Sequence, residues 1–269
     1  MKKIVYLLAI TAFFASCRNE KTEDKATENI NEKVDTLSYK YDSVKVYSKN
    51  IAKTKASPID TAKSVIKYPV FKNDTLNKYI NREVLDYFSK EDPAIISYQD
   101  IATSFIKGYD SFFAENKDTP QSWYLIIDIK VLKQSSNYIA LQKIHSDYAG
   151  GAHGITVTSF INYNPKTNQP KTLDSLIDIN KKANLLKIAE TIFRKNEKLT
   201  PTEPLAEKYF FENGKFALAQ SYYVSDEGLV FLYNPYEIKA YAYGTTKLVI
   251  PFSDLKGIAK PNNILSAKN

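Results

Sequence analysis

Ser122–Lys133 (SWYLIIDIKVLK), Asn137–Ser146 (NYIALQKIHS) and Ile155–Tyr163 (ITVTSFINY) are three runs dominated by aromatic and β-branched residues. Such residues suit a pleated, half-buried surface, and each run has the length of a strand. Gln134–Ser136 separates the first two as a short hairpin turn, and Asn164-Pro165-Lys166-Thr167-Asn168 closes the third. The pattern predicts an antiparallel meander.

A meander needs cover for its apolar face, and the upstream sequence supplies it. Asp74–Ser89 places Leu76, Ile80, Val84 and Phe88 at helical spacing, with Asp74 or Thr75 as N-cap. Ser97–Asn116 does the same with Ile101, Phe105, Tyr109 and Phe112, and Ser97 with Asp100 approximates a capping box. Ser64–Phe71 alternates like a further strand. Downstream, Leu173–Ile177 opens a helical stretch and Asn180–Asn196 carries a helical face of Leu185, Ala189, Ile192 and Phe193. Phe216–Val224 and Leu229–Tyr233 read as a hairpin around Ser225–Gly228, Lys247–Phe252 as a closing strand, and Ser253 as the cap of a last turn. Helices and hairpins that are grouped, without βαβ alternation, predict an α+β fold. Two packed subdomains, 58–164 and 165–259, with mainly antiparallel sheets and helices on one face, follow; 260–269 reads as a tail.

The N-terminus carries a different signal. Lys2 and Lys3 precede an apolar run, Ile4–Phe14, and the small residues Ala15 and Ser16 then precede Cys17. A basic segment, a short apolar segment and small residues before the cut make a signal peptide, here residues 1–16. The run is shorter than the roughly 20 residues that span a bilayer. Phe14-Ala15-Ser16-Cys17 resembles a lipobox, so Cys17, the single cysteine, is expected to be lipidated and to hold the protein on a lipid bilayer in the cell envelope, periplasmic or surface-exposed. Residues 17–57 are rich in Lys, Glu, Asp, Asn, Thr and Ser and read as a flexible tether, with a short strand near Val44–Tyr47.

The net charge of +7 falls to +5 once Lys2 and Lys3 are removed, and both signs are interspersed along the chain. Nucleic acid is therefore not an expected partner; a mild attraction to anionic glycans or lipid surfaces is compatible with the charge. No GxxxxGK, GxSxG, HExxH or CxxC motif occurs, so no cofactor and no enzymatic activity are expected. The two histidines, His145 and His153, flank Asp147. Convergence of the three would make a metal or acid/base site, whereas the structural alternative puts His145 on a strand face and lets His153 hold a loop. The alternative is preferred, because a catalytic zinc usually takes three protein ligands.

Tyr148-Ala149-Gly150-Gly151-Ala152-His153-Gly154 is the most unusual stretch, with three of the eight glycines. Clustered glycines permit positive φ and close backbone approach, so the loop is either a wide connection or a ligand site. Tyrosine is also abundant, with twenty copies, including Tyr222, Tyr223, Tyr233, Tyr236, Tyr241 and Tyr243 in one region. Tyr148, Gly150, Gly151, His153, Gly154 and Tyr236 are the candidate ligand-binding residues.

The run Tyr148–Gly154, then Thr172-Leu173-Asp174-Ser175-Leu176, then Phe231 with Pro235-Tyr236-Glu237-Ile238, Gly244 and Ile250-Pro251, resembles the extracytoplasmic domain pair of RsiV-like proteins. The same pair of domains of unknown function precedes the catalytic domain of PdaC-type peptidoglycan deacetylases. The match runs from Val65 to His153 for the first domain and from about Thr172 to Ile258 for the second. RsiV-like anti-sigma factors bind lysozyme through this ectodomain, whereas the deacetylases hold their chemistry in a separate domain. The resemblance thus implies a tethered, non-enzymatic binding or sensing module for a lysozyme-like protein or peptidoglycan. A cell-wall-modifying enzyme using His145, Asp147 and His153, or a structural envelope protein without a specific ligand, are the alternatives.

Overall fold

The computed structural model describes residues 37–52, 60–118 and 121–266. Along them run β1 (Tyr39–Ala52), β2 (Asp60–Phe71), α1 (Asp74–Phe88), α2 (Tyr98–Glu115), β3 (Tyr124–Ser135), β4 (Tyr138–Tyr148) and β5 (Ile155–Asn164). There follow β6 (Gln169–Pro170), α3 (Leu173–Leu176), α4 (Lys182–Asn196), β7 (Ser221–Val224), β8 (Gly228–Tyr233), β9 (Thr246–Pro251) and α5 (Phe252–Leu255). The first six strands form one sheet in sequence order and the last three a second, antiparallel sheet, so the fold is α+β. The meander of β3, β4 and β5 lies at the heart of the first sheet, antiparallel throughout. A parallel pair, β2 with β3, is the exception, and the crossover between them is made by α1 and α2.

Both long helices begin where a side chain replaces a missing backbone partner. Asn73, one residue before the expected cap, accepts from the Leu76 N–H, and Ser97 accepts from the Asp100 N–H while its hydroxyl donates to the Asp100 carboxylate at 2.7 Å. Leu76, Ile80 and Val84 of α1 and Ile101 and Ala102 of α2 pack on Ile66, Ile127, Leu141 and Ile161 of the sheet. Period-two alternation sends the other side chains of β4 to the opposite face, where Tyr138 and Ala140 join a second core with Leu185, Ala189, Phe193 and Phe231. Tyr138–Leu141 is accordingly buried without interruption, because β4 separates two cores.

Three expectations need correction. The expected tether to residue 57 holds more than the short strand near Val44–Tyr47: β1 is a 14-residue strand paired with β2 from Tyr39↔Phe71 to Ala52↔Asp60. Its polar average conceals an alternation: Val44 and Val46 face the core under the helices while Lys45 and Tyr47 face outward. The C-terminal tail is also folded as far as Ser266, since Leu265 is fully buried and the Asn263 amide donates to the Leu176 carbonyl at 2.7 Å. Within the expected strand Phe216–Val224, only Ser221–Val224 pairs, and Phe216 fills the second core from irregular backbone. Cys17 and the signal segment lie outside the described residues.

Candidate functional site

The glycine-rich loop leaves β4 at Tyr148 and enters β5 at Ile155. Gly150 and Gly151 have φ of +96° and +100°, a region that L side chains rarely adopt, so the chain can turn back only because both are glycine. The turn is held from inside, the Tyr148 hydroxyl donating to the Gly151 carbonyl at 2.9 Å. Gly154 is required for a different reason: a Cβ there would overlap the Tyr124 hydroxyl and stand 2.8 Å from the Asp147 carbonyl oxygen. Tyr124 and Tyr148 stack beneath the loop with ring centroids 6.0 Å apart.

His153 projects from the loop toward the second sheet's connections and stacks on Tyr241 at 4.5 Å between centroids. Its Nδ1–H donates to the Gly154 carbonyl at 2.8 Å, and the Tyr241 hydroxyl donates to the same oxygen at 3.3 Å. In the neutral ring this leaves Nε2 as an acceptor. Tyr241 in turn lies 5.5 Å from Tyr236. Tyr236 is half exposed and sits at φ +70° in a turn closed by its N–H bond to the Lys239 carbonyl at 3.0 Å. A non-glycine residue in this region is strained by roughly 1 kcal/mol. His153, Tyr241 and Tyr236 therefore form an aromatic strip across the junction between the two halves of the fold. Tyr241 is the member of that strip that was not among the candidates; its signal was the tyrosine density of 236–243.

The histidines take separate places. His145 packs against Tyr87 and Phe88 of α1 and reaches Asp147 Oδ1 from Nε2 at 3.3 Å. Burial holds its pKa below the ordinary histidine value, against the opposing pull of Asp147. His153 instead contacts Tyr241 and Gly154, and among the described residues no three His, Cys, Asp or Glu side chains gather into a metal-binding group. His145, Asp147 and His153 thus do not converge.

Residues 55–156 match the family described as Deacetylase PdaC, and residues 174–253 match a protein of unknown function, DUF3298. The crystal structure of a DUF3298 family member from Bacteroides fragilis is similar at a TM-score of 0.65 and 23% identity, over 87% of this chain and 99% of that one. A DUF3298 family protein from Pseudomonas aeruginosa is similar at a TM-score of 0.61 and 20% identity, over 84% of this chain and 95% of that one. No match was found among curated proteins. The two matches follow one another along the chain, so it matches a PdaC-like and DUF3298 domain pair, the pair that its sequence resembles.

Proposed function

We propose that this protein is a non-enzymatic binding module, held at the cell envelope through an acylated Cys17, that engages peptidoglycan with the strip formed by His153, Tyr241 and Tyr236. The carrying observation is the His153–Tyr241 stack, which aligns ring faces contributed by both halves of the fold. Flat aromatic faces with polar tips suit sugar rings, and the Nε2 of His153 supplies an acceptor beside them. A lysozyme-like protein is the second reading, favoured by the neighbouring Tyr243, an exposed aromatic of the kind that anchors protein interfaces. The deacetylase description of the matched family motivates the enzymatic alternative, for which the His145–Asp147 pair is the available chemistry.

Sedimentation with purified peptidoglycan and a parallel capture on immobilised lysozyme test the reading. His153→Ala and Tyr241→Ala are expected to weaken binding about tenfold, equivalent to about 1.4 kcal/mol, with little change in melting temperature. Unchanged affinity in both variants would remove the strip from the site. Release of acetate from peptidoglycan, abolished by Asp147→Asn, would replace a binding function with an enzymatic one.

A further inference from the structure

The helices cover one face of the six-stranded sheet and the second core covers the other face only beside β4 and β5. On the uncovered face of β1, β2 and β3 the register makes a grid. Ser43, Lys67 and Asp128 form one row, Lys45, Val65 and Ile126 the next, and Tyr47, Lys63 and Tyr124 the third. Lys45 is thus the diagonal neighbour of both Lys63 and Lys67, at the roughly 7–8 Å typical of such pairs. All three lysines are exposed, and none makes an ion pair among the described residues. Lys67 lies over the Tyr41 ring at 4.8 Å, and the one carboxylate of the grid, Asp128, is taken by Lys130 at 2.9 Å. Like charges on neighbouring strands cost stability, and among the described residues Asp128, opposite Lys67 and already paired with Lys130, is the one carboxylate of the grid, which therefore keeps a net positive charge.

We infer that this face is a docking surface for an anionic polysaccharide, with Lys45, Lys63 and Lys67 contacting its carboxylates and Tyr47 and Tyr124 its sugar faces. Charge complementarity carries the assignment. Rings from β1 and β3 flank the lysines of β1 and β2: Tyr41 and Tyr47 are exposed on β1, and Tyr124 of β3 borders a 390 Å³ depression with Lys63 at its rim. The grid's apolar members, Val65 and Ile126, are half-buried between the charged side chains, and the exposed rings Tyr41 and Tyr47 carry hydroxyl tips suited to hydrogen bonding with sugars. The vesicle arm of the test below separates a soluble glycan chain from an anionic membrane surface. The grid adjoins the glycine-rich loop, whose Tyr148 and Gly154 line the same depression as Tyr124, but it includes none of His153, Tyr241 and Tyr236.

The test uses the full chain carrying Cys17→Ser, so that no acyl anchor contributes, in affinity electrophoresis through gels containing polygalacturonate. Retardation is expected at low salt and is expected to disappear as salt rises, because exposed charges are screened within about 10 Å at 0.1 M. The variant Lys45→Gln/Lys63→Gln/Lys67→Gln should lose affinity at least tenfold while melting at an equal or higher temperature, since the repulsion is relieved. His153→Ala should be retarded like the parent, which keeps this surface separable from the peptidoglycan reading. An unretarded parent chain, or a triple variant that binds as tightly as the parent, would overturn the proposal. So would capture on phosphatidylglycerol vesicles without any retardation by polygalacturonate.

Discussion

The side-chain amide of Asn234 hydrogen-bonds both backbone groups of Thr158: the Thr158 N–H donates to Oδ1 at 2.7 Å, and Nδ2 donates to the Thr158 carbonyl at 3.0 Å. Both residues are buried. The outer edge of β5 meets β6 only at Tyr163 and Asn164, so the Thr158 N–H would otherwise be unpaired away from water, whereas its carbonyl also accepts from the Ser221 hydroxyl at 3.2 Å. One asparagine does the work of a neighbouring strand and fastens the second half of the fold to the first. Asn162 adds a second clasp, accepting from the Tyr138 hydroxyl and donating to the Tyr222 carbonyl.

Asn234→Ala should therefore destabilise by about 1–3 kcal/mol, the cost of one orphaned buried N–H, since the carbonyl keeps the Ser221 hydroxyl. Urea unfolding followed by intrinsic fluorescence measures it. A loss below 0.5 kcal/mol, on the order of a neutral surface change, would mean that water replaces the amide.

Gly154→Ala should destabilise the β4–β5 loop, because the added methyl meets the Tyr124 hydroxyl and the Asp147 carbonyl. Adding Tyr124→Phe removes one of the two clashes, so the double variant should recover part of the loss. A double-mutant cycle in thermal unfolding reads the coupling, and strict additivity would place the strain elsewhere.

Tyr236→Asn separates stability from binding. Asparagine tolerates the left-handed backbone better than tyrosine, so stability should stay level or rise by up to about 1 kcal/mol. Peptidoglycan affinity should fall, because the exposed ring is gone. A variant that is both destabilised and fully active in binding would contradict both halves of this expectation.

His145 gives the fold a pH dependence of defined sign. Its folded pKa lies below the unfolded value of about 6.5, so the neutral ring is favoured in the native state. The stability it contributes is present above pH 6.5 and is lost as pH falls through the folded pKa. Between pH 7.5 and 5.5 the parent's urea midpoint should fall more than that of His145→Phe, which keeps the aromatic packing on Tyr87 and Phe88. Parallel slopes for the two proteins would assign the acid sensitivity to carboxylates instead.

Much of the fold is legible in the sequence because the signal is local. Helical spacing at Leu76, Ile80 and Val84, the cap at Ser97 and the alternation in β3, β4 and β5 arise from residues that touch their own neighbours, and each holds in the structure. The positive φ of Gly150 and Gly151 is foreshadowed in the same way by their clustering. Of β1 only the short run Val44–Tyr47 is legible, because polar residues on either side outweigh the two valines that face the core, and a strand needs only one apolar face once β2 pairs its backbone. Its pairing, the parallel register of β2 with β3 and the burial of Leu265 depend on partners distant in sequence. So does the site: nothing near His153 announces Tyr241, nothing near Thr158 announces Asn234, and the lysine grid needs three strands in register before Lys45, Lys63 and Lys67 become neighbours. Sequence determined the elements, the glycine-rich loop and the charges, since these follow from chain-local geometry and composition. The tertiary structure decided which side chains meet, because long-range pairing and register alone set those distances.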